Sequence, residues 1–115
     1  MKYHFKVGRD KQIVLDASQT FEDLCWAILK AYRIDPDHIF LIEFPNGEET
    51  DSGTPLGPMS GTGNIPLQTP LSDQDLKTGD VMTFYYNPSY EWSRKIRLMD
   101  ITFEKSPAKL KGKRR

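Results

Sequence analysis

The chain of 115 residues carries 37% hydrophobic and 28% charged residues, a balance that fits one soluble domain with a single core. It has no apolar run long enough to span a bilayer, its first residues lack the apolar segment of a secretory signal, and its one cysteine excludes an intrachain disulfide. These features together predict a cytoplasmic protein.

The net charge of zero hides an uneven distribution. Residues 105–115, which begin at Lys105 and end at Arg115, hold six basic residues and no acid. Residues 1–104 hold ten basic and sixteen acidic residues, a net charge of −6. We interpret residues 1–104 as one domain and residues 105–115 as a basic flexible tail, because the tail has too few apolar side chains to order itself. Such a tail can contact nucleic-acid phosphates, stay solvated and disordered, or fold back on the acidic body.

The first residues predict a β-hairpin. Tyr3, Phe5 and Val7 alternate with polar residues, as in a strand with one buried face. Ile13 and Leu15 resume the alternation after a turn over residues 8–11. The short connection favours antiparallel pairing of the two strands.

Residues 20–33 predict the one long helix. Thr20 is the expected N-cap with Asp23 as its capping-box partner, and Pro36 is expected to stop the helix at the residue before it. Trp26 lies about 130° from the centre of the apolar stripe, which leaves it either exposed for an interface or covered by a loop. The stripe has helical spacing and consists of Phe21, Leu24, Cys25, Ile28, Leu29 and Tyr32.

The second half predicts three more strands around a long loop. Residues 38–44 are almost all apolar, as in a strand inside a sheet. Residues 45–69 contain five glycines and four prolines and have no periodicity, which is typical of a functional or disordered loop. Residues 71–79 predict a short helical turn capped by Ser72. Residues 80–87 and 91–104 predict two strands, the second with a bulge or kink at Leu98 and Met99, where its apolar phase switches.

The order hairpin, helix, strand, loop, two strands predicts an α+β protein. The fold expected is β-grasp-like, with one mixed sheet of about five strands packed on one main helix.

Two segments carry a family resemblance. The helix begins TFEDLC over residues 20–25 and is followed by DHI over residues 37–39, and the last hairpin reads YNPSYEWSRKIRL over residues 86–98. The chain resembles the Ri-plasmid ORF-3-like domain family, which is associated with plasmids and insertion elements. The matching positions of the hairpin are Trp92, Ile96 and Leu98. The ionisable positions of the family differ here: Asn87 and Tyr90 replace aspartates, and Arg94 and Cys25 replace histidines.

The resemblance implies the apolar skeleton of the family and not its ionisable groups. Cys25 could act as a nucleophile with His38 or His4 as its base, but its place on the apolar stripe is typical of a small buried hydrophobe. Two histidines and one cysteine without close spacing do not form a recognisable zinc site. We therefore predict no catalytic residues, no metal and no cofactor.

The last hairpin is the predicted binding surface, because it combines aromatic and basic residues that could grip a peptide or stack bases. The alternative is ordinary cross-strand pairing. The predicted function is a non-catalytic binding domain with a protein partner. The alternative is a nucleic-acid-associated accessory protein of a plasmid or mobile element, which uses the hairpin and the basic tail. The predicted binding residues are Tyr86, Asn87, Tyr90, Arg94, Arg97 and, on the helix, Trp26.

Overall fold

The computed structural model describes residues 1–87 and 92–103. Over these residues the chain forms one sheet and one α-helix, α1 (Phe21–Ala31), with a short 3₁₀ helix at Leu71–Gln74. The strands in chain order are β1 (Lys2–Val7), β2 (Lys11–Asp16), β3 (Phe40–Glu43), β4 (Ser52–Thr54), β5 (Gly57–Met59), β6 (Val81–Tyr86) and β7 (Trp92–Thr102). The predicted α+β class is confirmed.

The sheet differs from the expected one in strand number and direction. Its order is β2-β1-β7-β6-β3-β4-β5, so it has seven strands rather than about five. All paired strands run antiparallel, and the predicted mixed sheet is wrong. The reason is that β7 returns beside β1 in the opposite direction, and that the predicted loop over residues 45–69 contributes β4 and β5.

One face of the sheet, called the inner face here, is covered by α1. The stripe of α1 is buried from Phe21 to Leu29 and half-buried at Tyr32. Tyr3, Phe5 and Val7 of β1 point into the same core, as their alternation predicts. Burial of each such side chain contributes about 1.5–3 kcal/mol, so the contact between stripe and sheet dominates the stability of the fold.

The two ends of α1 have different explanations. At the N-terminus the predicted capping box is confirmed: the amide of Asp23 donates to Thr20 Oγ1 at 3.1 Å, and the amide of Thr20 donates to Asp23 Oδ2 at 3.0 Å. At the C-terminus the helix ends at Ala31, before Pro36 can act. Arg33 adopts φ 57°, and the amide of Ile34 donates to the carbonyl of Leu29 at 2.9 Å, which closes the helix as a Schellman motif.

The predicted bulge in β7 is confirmed. Phe5 pairs with Leu98 and His4 pairs with Asp100, so Met99 is the extra residue on β7. The bulge returns Ile101 to the side of Tyr3, with which it pairs. Met99 points away from α1, as alternation from the buried Leu98 requires, and 48% of its surface is exposed. We call this opposite side of the sheet the open face.

Residues 45–69 are ordered, contrary to the aperiodic loop predicted. Ile65 and Leu67 from this segment are buried in the core. The hydroxyl oxygen of Thr50 accepts a hydrogen bond from the amide of Ile42 at 3.0 Å. A side chain of this segment thus serves as the acceptor for a backbone amide of β3. The predicted cap of the following turn is also wrong, because the 3₁₀ helix begins after Pro70 without a side-chain cap.

Within the described ranges, no helix combines the length and the apolar character needed to cross a membrane.

Candidate functional site

The β6–β7 hairpin divides the predicted binding residues between the two faces of the sheet. Tyr86 lies opposite Trp92 on the inner face, and Arg94 lies opposite Phe84 on that same face. Arg97 lies on the open face. The predicted hairpin residues are therefore divided between two faces, because successive side chains of a strand point to opposite faces.

The inner-face residues form a group at the end of the sheet next to the C-terminus of α1. We call it the aromatic–arginine cluster and define it as Tyr32, Tyr86, Trp92 and Arg94. The Arg94 guanidinium carbon lies 4.1 Å from the Trp92 ring centroid and 5.4 Å from that of Tyr32. Such cation–π contacts contribute about 0.5–2 kcal/mol each. The guanidinium is thus held in place by ring faces.

This arrangement leaves most of the hydrogen-bonding capacity of Arg94 for a ligand. Its Nη1 donates to the carbonyl of Ser93 at 2.7 Å. A guanidinium has five N–H donors in a planar fork that matches a carboxylate or a phosphate. Neither ring that holds Arg94 competes for those donors.

Both tyrosines of the cluster are anchored by their hydroxyl groups. Tyr86 Oη donates to the carbonyl of Asp35 at 2.6 Å, and Tyr32 Oη donates to the carbonyl of Val7 at 3.2 Å. The Tyr32 and Trp92 rings meet edge to face, with 5.4 Å between their centroids. The rings are therefore positioned before any ligand arrives, which lowers the entropic cost of binding.

Gly8 makes room for the anchor of Tyr32. A Cβ atom at position 8 would collide with the Tyr32 hydroxyl, and Gly8 also has φ 61°, a conformation that favours glycine. The β1–β2 turn thus determines the position of an aromatic ring on α1.

Two clefts flank the cluster. One of about 270 Å³ is lined by Ile34, Tyr86, Asn87 and Trp92 and is mainly apolar. The other, of about 340 Å³, is lined by Gly8, Arg9, Asp10, Tyr32 and Arg94. Trp92 borders the first cleft and its ring carries Arg94, which borders the second. Together they could bind an apolar side chain next to a carboxylate.

Asn87 lies at the rim of the apolar cleft. It adopts φ 50°, a conformation that asparagine tolerates better than most residues, and its amide donates to the carbonyl of Ile39 at 2.8 Å. Its backbone is therefore fixed where the chain leaves β6.

Trp26 lies outside the cluster. Its ring meets Phe40 edge to face at 5.5 Å between centroids, and its Nε1 donates to Glu22 Oε2 at 3.4 Å. The side chain is half-buried and packs at the border of the core. The structure does not bring Trp26 together with the hairpin residues.

Two further predictions fall outside the described residues. Tyr90 belongs to the connection over residues 88–91, and the basic tail belongs to residues 104–115. Their roles stay predictions.

Tyr32, Ile34 and Trp92 belong to the cluster and its apolar cleft but are not among the predicted binding residues. Tyr32 was assigned to the core stripe, which is correct for its ring edge. The sequence feature that could have indicated a binding role is the position of Tyr32 as the last residue of the stripe, where the helix stops covering the sheet. Ile34 follows the helix and carries no sequence signal of its own.

Cys25 is enclosed by the core. Its exposed fraction is 0%, and burial raises the pKa of its thiol well above the usual value, with the Glu22 carboxylate adding to the rise. A thiol of raised pKa is a poor nucleophile. His4 is engaged on the open face, where its Nε2 lies 2.9 Å from Thr102 Oγ1. In the described part of the chain, no group of three or more His, Cys, Asp or Glu residues could hold a metal ion.

We expect Cys25 to react slowly with a thiol reagent in the native protein and fast after unfolding. Cys25→Ala should lower the free energy of unfolding by about 1–2 kcal/mol, as for a small buried group, and leave ligand binding intact. Thiol labelling of the folded chain followed by mass spectrometry checks the first expectation. Labelling at the rate of a free thiol would contradict it.

No family model matches this chain, and no curated protein or solved structure matches it.

Proposed function

We propose that this chain is a non-catalytic binding domain whose partner is a protein that docks at the aromatic–arginine cluster. The observation that carries the proposal is the guanidinium of Arg94, held over Trp92 and against Tyr32 beside an apolar cleft. Tyrosine, tryptophan and arginine are the residues that most often dominate protein–protein binding energy. A pre-positioned arginine next to an apolar cleft suits a peptide that presents an apolar residue beside a carboxylate.

The non-catalytic part of the proposal is supported by the placement of the reactive groups. Cys25, the one thiol of the chain, is buried on the sheet-facing stripe of α1 and lines neither cleft of the cluster. The cleft residues offer two guanidinium groups, two phenols, one side-chain amide and one exposed carboxylate, Asp10, rather than a nucleophile with its base.

The finer fold and family assignments belong to the same proposal. The hairpin–helix–strand order and the return of β7 beside β1 support a β-grasp-like fold, although β7 runs antiparallel to β1. Burial of Ile96 and Leu98 and the central place of Trp92 in the cluster support divergent membership of the Ri-plasmid ORF-3-like family. A cytoplasmic location is supported by the single cysteine, which needs no oxidising compartment.

A second candidate function is that of a nucleic-acid-associated accessory protein of a plasmid or mobile element. It is favoured by the exposed cations around the β1–β2 turn and on β7, which stand out on an acidic body. Phosphate contacts would make its affinity fall steeply with salt, whereas an apolar protein contact would not.

The experiment that tests the first proposal compares two arginines of β7. We expect Arg94→Ala to weaken binding to the captured protein partner at least tenfold, because it removes the charged group of the cluster. Arg97→Ala is the matched control, since it removes the same side chain from the same strand on the opposite face. Partners are captured from nuclease-treated extract of the source cell, and the affinity of each variant is then measured for the purified partner.

Equal binding by the wild type and Arg94→Ala would contradict the proposal. Loss of binding by Arg97→Ala alone would place the partner on the open face instead. Circular dichroism and thermal melting confirm that both variants are folded.

A further inference from the structure

The open face carries a compact group of positive charges at one end of the central strands. Lys6 on β1 pairs directly with Arg97 on β7, and Lys95 lies two residues before Arg97 on the same face. Arg9 follows in the β1–β2 turn. We call Lys6, Arg9, Lys95 and Arg97 the open-face cations. All four are exposed, and they surround a shallow cleft of about 450 Å³ that is completed by Gly8 and Val81.

This arrangement is costly for the folded protein on its own. Like charges directly opposite each other on neighbouring strands are destabilising, and Lys6 and Arg97 are such a pair. The lining of the cleft contains no carboxylate. The ion pairs among residues 1–87 and 92–103 are Lys2–Asp16 and Lys77–Asp75, so none of the open-face cations is neutralised there.

The open-face cations also contrast with the negative net charge of the rest of the domain. Residues 1–104 have a net charge of −6, yet four of their ten basic residues lie around this one cleft. Lys95 is held in place, because its Nζ donates to Thr83 Oγ1 on β6 at 3.1 Å. An acidic body that concentrates unneutralised cations in one cleft is complementary to an anionic ligand.

We infer that the open-face cations bind the phosphate backbone of a single-stranded nucleic acid. Lys95 and Arg97 are about 6.7 Å apart along β7, and Lys6 is about 5 Å from Arg97 across the sheet. Such an array is wider than one phosphate group requires and suits a chain of phosphates. Tyr85 lies on the same face and is half-exposed, and its Oη donates to Glu43 Oε1 at 3.3 Å, which holds the ring on which a base can stack.

Lys6, Lys95 and Arg97 lie on the opposite face from the aromatic–arginine cluster, and Arg9 in the β1–β2 turn borders the clefts on both sides. The inference therefore does not rest on protein binding at Arg94, and it gives the second candidate function a location other than the basic tail. Arg94→Ala should leave nucleic-acid binding unchanged, so the two proposals can fail separately.

The test uses the full chain and a fluorescently labelled oligothymidylate, with the dissociation constant measured by anisotropy at several salt concentrations. Lys6→Gln with Arg97→Gln should weaken binding at least tenfold at low salt. It should also flatten the slope of log K against log salt by about 1.4, since each lost contact to a single strand contributes about 0.7. Lys95→Gln alone should flatten the slope by about 0.7.

The matched control is Lys30→Gln with Arg33→Gln, which changes the net charge equally at exposed positions at the end of α1. It should leave affinity and slope unchanged. The inference is overturned if the wild type does not bind, if both double variants lose affinity equally, or if the open-face variant binds like the wild type. It is also overturned if polyglutamate of equal charge displaces the oligonucleotide as well as unlabelled oligothymidylate does. Each variant is first checked by thermal melting, and Lys95→Gln replaces the double variant if the latter does not fold.

Discussion

Gly53→Ala is expected to lower the free energy of unfolding by about 3 kcal/mol, near the upper end of the range for an overpacked core. A Cβ atom at position 53 would lie 2.6 Å from Cζ of the Phe40 ring and closer still to Cε1. Phe40 is fully buried, and its ring packs against Trp26 and Phe84 at centroid distances of 5.5 and 6.2 Å. The ring therefore has no space into which it can retreat.

Urea denaturation followed by fluorescence and circular dichroism measures this effect. The control is a double-mutant cycle with Phe40→Leu, which removes the ring that the new methyl group would strike. If the collision is the cause, the double variant should lose less free energy of unfolding than the sum of the losses of the two single variants. A loss below about 0.5 kcal/mol for Gly53→Ala would mean that β4 does not pack on Phe40.

Trp92→Ala is expected to lower the free energy of unfolding by about 2–3 kcal/mol. The value is below the 3–5 kcal/mol typical of a fully buried large aromatic, because Trp92 is half-buried. Its ring meets Tyr32 at 5.4 Å and Phe84 at 6.2 Å between centroids, and it carries the Arg94 guanidinium. The variant should therefore also lose partner binding, since Arg94 loses the ring that positions it.

Trp92→Phe is the matched control, because it keeps a ring at the centre of the cluster. It should retain most of the stability and a measurable part of the binding. Chemical denaturation gives the first quantity, and titration with the purified partner gives the second. Unchanged stability of Trp92→Ala would show that the cluster is not packed as described.

The elements that the sequence predicted correctly are those whose signal is local. The stripe from Phe21 to Leu29 and the capping box of Thr20 and Asp23 lie within one segment of helical period. The bulge at Met99 could be predicted because it changes the phase of apolar residues inside one strand. In each case neighbouring residues determine the structure, and distant pairing only completes it.

The elements that were missed depend on distant parts of the chain. The direction of β7 relative to β1 is decided by residues about ninety positions apart, which no local pattern records. Residues 45–69 lack alternation because side-chain hydrogen bonds help to order them, as when Asp51 Oδ1 accepts from the amide of Gly63 at 2.9 Å.

The candidate site was predicted in part for the same reason. The composition of the last hairpin shows that it is rich in aromatic and basic residues. Composition does not show which face of the sheet each side chain takes. Strand alternation separates Arg94 from Arg97, and a turn of helix brings Tyr32 to Arg94 from more than sixty residues away in sequence. The predicted hairpin surface is thus divided between the two faces of the sheet.

The central claim, that a protein partner docks at the aromatic–arginine cluster, is tested most directly by site-specific photo-cross-linking. A photoreactive amino acid is placed at Asp37, an exposed position two residues after the carbonyl that accepts from Tyr86. The control position is Ser72, which is exposed beside the start of α1, about 16 Å away along the helix axis. We predict a nuclease-resistant cross-linked protein from position 37 that disappears when Arg94→Ala is added, and none from position 72. Cross-linking from position 72 alone, or a product from position 37 that persists with Arg94→Ala, would contradict the claim.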